Sequence, residues 1–80
     1  MDLIKLHKIK EFALEQMDKW GIDDWKFVWD TRAVRRYGQC RYSKKEIGIT
    51  KVLANLNTIE ETKDVVLHEI AHALTGPGHG

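Results

Sequence analysis

Cysteine occurs once in these 80 residues, at Cys40, so no disulfide can form within the chain. A chain of this length builds one core of helices and a small sheet and is too short for two. Domains so small commonly need a staple, and with disulfides excluded a metal ion is the natural one. A lone thiol also suits a reducing compartment. Long apolar runs are missing as well: nothing approaches the roughly 18 consecutive apolar residues of a membrane span. The first eight residues, MDLIKLHK, alternate charged and apolar types and lack the basic-then-apolar design of a secretory signal. Internal repeats, low-complexity tracts and interdomain linkers are absent too. These absences predict a single domain over residues 1–80, cytoplasmic and without a membrane partner.

Charge of one sign is also lacking. The net charge is +1, which gives no global bias toward nucleic acid. Its distribution is uneven, however: between Asp30 and Glu46 lie Arg32, Arg35, Arg36, Arg41, Lys44 and Lys45 with no acid among them. That local +6 leaves the remainder of the chain at −5. On composition it is the solvated face of a hairpin, and the alternative is a surface that binds DNA weakly and without sequence preference.

What is present falls into few elements. Asp2 can cap a helix running to Trp20, with Leu6, Ile9, Ala13, Met17 and Trp20 recurring three and four residues apart as its core face. Gly21 supplies the left-handed exit. Residues 25–30, WKFVWD, are aromatic and β-branched and predict a strand whose aromatics pack the core. Gly38 to Tyr42 and Glu46 to Thr50 predict a hairpin with a charged tip, with Cys40 a small buried hydrophobe. Residues 51–57 are a connector. Thr58-Ile59-Glu60-Glu61 is a capping box, and the helix it starts runs to Leu74 or Thr75, where Gly76-Pro77-Gly78 ends it.

That last helix carries the chemistry. At about 100° per residue, His68 and His72 project within about 40° of each other, and Glu69 flanks them at about 100°. Val66, Ile70, Ala73 and Leu74 fall on the opposite side as an apolar back. Two imidazoles one turn apart with a carboxylate beside them match the H-E-x-x-H pattern of zinc peptidases. The bare pattern also arises by chance as two surface histidines around a glutamate. Here a capped helix, small neighbours at Ala71 and Ala73, and a further histidine past a Gly-Pro-Gly reversal favour one bound zinc. A catalytic zinc takes three protein ligands, and His79 is the best remaining candidate in the chain, with His7 a distant second. The longer metzincin pattern does not fit, because Thr75 and Gly78 stand where it needs glycine and histidine.

The chain resembles the SprT-like family of minimal zinc metallopeptidases, in particular its short bacterial and phage members. The resemblance runs from about Trp25 to Gly80 and rests on WKFVWDTRAVRRYGQCRY, KEIGIT and LHEIAHALTGPGHG in that order. It implies an α+β, zincin-like fold with an amino-terminal helix, a small antiparallel sheet and a carboxy-terminal metal-bearing helix. His68 and His72 would then be zinc ligands and Glu69 the catalytic base. In that family the third ligand is a histidine followed by glycine and then an aromatic residue, with more chain beyond. Either His79-Gly80 is that pair without its aromatic, or the chain is a core cut before its last ligand. The second reading is preferred, because a loop ending on its own ligand is poorly anchored.

The expected activity is metal-assisted hydrolysis of peptide bonds, with Glu69 moving the proton of a zinc-bound water to the leaving amine. An extended protein or peptide substrate would add to the sheet along Glu46 to Thr50. No oxyanion donor is identifiable from the sequence: Tyr42 and Arg41 are candidates, but a packed tyrosine and a solvated arginine are the simpler readings. Some family members act on proteins bound to DNA, which lends interest to the Arg32 to Lys45 stripe. The rival readings are a metal-dependent nuclease and a DNA-binding module with a structural zinc. Glu69 within the motif favours the peptidase.

Overall fold

The computed structural model of the chain describes residues 3–32 and 35–76. Helix α1 (Leu3–Lys19) is followed by strands β1 (Lys26–Asp30), β2 (Gly38–Arg41) and β3 (Glu46–Thr50), then by helices α2 (Lys51–Leu56) and α3 (Ile59–Thr75). The class is α+β: α1 and α3 pack on each other, and α3 covers β2 and β3.

The amphipathic pattern of α1 is realised in part. Leu6, Ile9, Ala13 and Met17 are buried, but the helix ends at Lys19 and Trp20 is 52% exposed. Trp20 instead lies beneath the Lys19 ammonium, 5.6 Å from its ring centroid. Gly21 takes the positive φ expected of a helix exit, +78°. The cap expected at Asp2 lies outside the described residues.

The sheet is mixed where a wholly antiparallel one was expected. Its order is β1-β3-β2, with β2 antiparallel to β3 and β1 parallel to it. After β1 the chain crosses to the far edge before the hairpin brings β3 back between the other two. Hairpin connections are local and legible, whereas insertion of β3 beside β1 depends on burial. In its central place β3 is enclosed from Ile47 to Thr50. Ile47 and Ile49 have no exposed surface and meet Ile9, Ala13, Met17, Val66 and Ile70 in the core. Phe27 and Trp29 pack against this core and touch each other edge to face at 5.1 Å. The central place of β3 also rules out the substrate edge expected along Glu46 to Thr50, because both its sides are already paired. The open edges are β1 and β2.

Residues 51–56, expected as a connector, form α2. Six residues make too few turns to show a period, and what holds them is tertiary: Ala54 is fully buried. Lys5 Nζ, from α1, donates to the free carbonyls of Asn55 and Asn57 at the end of α2.

The capping box that starts α3 is formed as predicted. Glu61 N–H donates to Thr58 Oγ1 at 3.1 Å, and Thr58 N–H donates to Glu61 Oε1 at 3.1 Å. These bonds from Thr58 hold the Glu61 carboxyl below its usual 4.5. Stability gained from the ionised form is therefore present above that usual value and lost as the pH falls through the depressed one. Thr58→Ala should cost about 1 kcal/mol. At this size that lowers Tm by roughly 4–8 °C, which thermal melting followed by circular dichroism reads directly. An unchanged Tm would show that the cap does not start the helix.

Candidate metal centre

The helical period sets the phase of the side chains along α3. Val66 and Ile70 are turned into the core, and His68 and His72 leave the opposite side. Their rings meet edge to face at 4.5 Å, with the two Nε2 atoms 3.0 Å apart. Two imidazoles bound at ~2.0–2.1 Å to one tetrahedral zinc stand about 3.3 Å apart, so this pair fits such an ion with little adjustment. Leu74, expected on the apolar back, is 47% exposed near the end of the helix.

Glu69 is held differently. Only 7% of it is exposed, and among the described residues no hydrogen-bond donor meets its carboxylate. Burial pushes the carboxyl above its ordinary value, while His68, His72 and Arg36 pull it down again. The wall that buries it is β2. A Cβ placed on Gly38 would stand 2.8 Å from Val65 Cγ1, 2.9 Å from Glu69 Cγ and 3.0 Å from Glu69 Oε2. Only a glycine lets the strand approach α3 this closely. Beside the contact opens a cleft of about 420 Å³ lined by Tyr37, Gly38, Asp64, Val65, His68 and Glu69. Tyr37 is fixed there by a 2.6 Å hydrogen bond between its hydroxyl and Thr62 Oγ1. A carboxylate that is mostly buried, meets no donor among the described residues and opens on the same cleft as His68 is placed to accept a proton from a water there.

The edge of that cleft is the free side of β2. Thr50 N–H donates to Tyr37 C=O at 2.8 Å. Antiparallel alternation then repeats this bonding at Gln39–Gly48 and Arg41–Glu46, so the amides and carbonyls of Gly38 and Cys40 point away from β3. Those groups are the open ladder on the side nearest Glu69.

Several expected residues stand elsewhere. Arg41 is not an oxyanion donor, because strand alternation sends it to the outer sheet face. There it lies over Gly48, 3.4 Å from Asp30 and 3.6 Å from Glu46. The Tyr42 hydroxyl is committed to the backbone of α3, to the carbonyl of His72 at 3.0 Å and of Gly76 at 3.3 Å. Cys40 is half-buried between them, and burial raises its thiol. His7 is exposed on α1 and pairs with Glu11. Among the described residues no three histidine, cysteine or acidic side chains gather as a metal set, so His7 does not join His68 and His72. His79 lies outside the described residues. Of the basic stripe, Lys45 is bound to Asp24 at 3.0 Å and Arg41 is paired as above, while Arg32, Arg35, Arg36 and Lys44 are exposed. Among the described residues no helix is long and apolar enough to cross a membrane.

Tyr37, Gly38, Asp64 and Val65 were not singled out as site residues by sequence. The signal for Gly38 was present, a glycine opening a strand two positions before a cysteine, but only the packing gives it meaning. Compared with known families, residues 6–80 match the SprT-like family, a coverage that takes in nearly all of α1 as well as the segments from Trp25 onward. Comparison with curated proteins gives no match.

The close approach at Gly38 has a direct consequence. Gly38→Ala must push strand and helix apart and displace Glu69, at a cost of roughly 1–3 kcal/mol. A fall in Tm of several degrees, read by circular dichroism, is expected. No change would mean that β2 stands further from Glu69.

Proposed function

This chain belongs to the SprT-like family, a family of metallopeptidase-like domains, and we propose that it is a zinc-dependent metallopeptidase with Glu69 as its general base. The observation that carries the proposal is the pairing of two converged imidazole nitrogens with a buried, donor-free carboxylate at the same cleft. His68 and His72 would hold the ion through Nε2. His79, outside the described residues, is the candidate third imidazole within this chain, the alternative being a ligand beyond Gly80. When bound, zinc supplies Lewis acidity, lowering the pKa of water toward ~7 and polarising a carbonyl.

The rest of the mechanism belongs to the protein. The open backbone groups of Gly38 and Cys40 take an extended peptide as an added strand, which favours unfolded protein segments with little regard to their sequence. That strand lies beside Glu69, whose carboxylate accepts the proton of the attacking water and returns it to the leaving nitrogen. Gly38 and Val65 exclude solvent from one side of the carboxylate, and in the metal-free chain that burial raises its pKa. A DNA-binding module with a structural metal has no use for such a carboxylate, and two of the six cations that reading needs are already paired. A nuclease built on three histidines would likewise leave Glu69 idle.

Glu69→Gln keeps the shape of the side chain and removes its basic oxygen. Zinc content should stay near one equivalent per chain while cleavage of an unfolded protein falls by at least about 100-fold. Equal cleavage rates in variant and parent would remove Glu69 as the base. His79→Ala should raise the zinc Kd by tenfold or more if two imidazoles are left to hold the ion. An unchanged Kd would place the third ligand elsewhere.

A further inference from the structure

Hairpin and metal-bearing helix meet at a second point besides Gly38. At the end of α3 one hydroxyl from the hairpin reaches two backbone carbonyls, of which that of His72 also closes the last helical turn. Tyr42 Oη donates to the carbonyl of His72 at 3.0 Å and reaches that of Gly76 at 3.3 Å. The same His72 carbonyl accepts from Gly76 N–H at 2.9 Å and lies 3.3 Å from Thr75 Oγ1. The phenol ring is held edge-on by Trp25, at 6.2 Å and 86°. Gly76 closes the helix with a φ of +83°.

We propose that Tyr42 is a positioning residue, which fixes the backbone of His72 against the helix end at Gly76. It touches no reacting atom. Its hydroxyl ties the residue that presents one imidazole to the glycine that closes the helix, so the turn carrying His72 is held by one group on the hairpin. Freed of that bond, the last turn of the helix would be held only by its own Gly76 N–H and Thr75 hydroxyl bonds to the His72 carbonyl, and would fray more readily. His72 sits in that turn, whereas His68 lies one turn deeper. The hairpin thus acts on the metal centre from behind, through the backbone of a ligand.

The inference rests on the metal-centre reading above, and the test separates the two. Tyr42→Phe keeps the ring against Trp25 and removes only the hydroxyl. Thr58→Ala is the control, since it takes one hydrogen-bonding group from the opposite end of the same helix. Zinc affinity is measured by competition with a chromophoric chelator, Co²⁺ absorption reports ligand geometry, and melting of the metal-free chains reports stability. Tyr42→Phe should raise the zinc Kd about tenfold or more and alter the Co²⁺ spectrum, as loss of outer-shell support does at metal sites. Thr58→Ala should leave Kd within about twofold at an equal or larger fall in Tm. A Kd for Tyr42→Phe within twofold of the parent would overturn the inference alone. So would affinity losses that track Tm in both variants, or a Tyr42→Phe chain that does not fold, since either marks a structural role. A parent chain that binds no zinc would overturn the metal-centre reading and this inference with it.

Discussion

Strand β2 and helix α3 come so close at Gly38 that a methyl group there would meet both Val65 and Glu69. Most of the candidate site follows from that contact. It buries Glu69, which on the helix wheel alone would stand half in solvent beside the histidines. It sets the free edge of β2 alongside the carboxylate. Further along the same strand it delivers Tyr42 to the end of α3, so that hairpin and helix are joined at both ends of the histidine pair. Remove the closeness and the histidines keep their spacing, but the carboxylate loses its enclosure.

That enclosure runs against stability. A largely buried carboxylate that meets no donor among the described residues costs free energy, because part of its water is withdrawn and no protein group replaces it. The two imidazoles and Arg36 offset part of the cost through space. Such a group is better tolerated when it has work to do, and bound water at a metal site would supply the missing donor. In a chain with one cysteine, and with ten buried apolar side chains among the described residues, a ligand that binds only the folded state would also add stability by mass action. Catalytic arrangement and structural need point to the same ion.

The two faces of the sheet divide the labour. Toward α3, β2 offers Gly38, Cys40 and Tyr42, and β3 offers Ile47 and Ile49. On the outer face Arg41 spans from Asp30 to Glu46 across Gly48, where a Cβ would stand 3.1 Å from its guanidinium. Each face therefore uses the absence of a side chain on one strand to admit a group from a neighbour. Arg41 also shows why a run of cations is a poor guide to a surface: alternation separates neighbours in sequence, and acids from β1 and β3 meet one of them.

By itself the sequence determined the local features: the capping box at Thr58, the spacing of His68, Glu69 and His72, the hairpin, the left-handed exit at Gly21 and the buried stripe of Leu6, Ile9, Ala13 and Met17. Each depends on residues within a few positions, where backbone sterics and helix period act directly. Tertiary structure decided the rest. It placed β3 at the centre beside a parallel β1, wound residues 51–56 into α2, left Trp20 outside the core, turned Arg41 away from the site and brought Gly38 and Tyr42 to it. These outcomes join residues some 20 to 50 positions apart. What fixes them is the burial of Ile47 and Ile49 against both long helices, a condition no short stretch of sequence expresses.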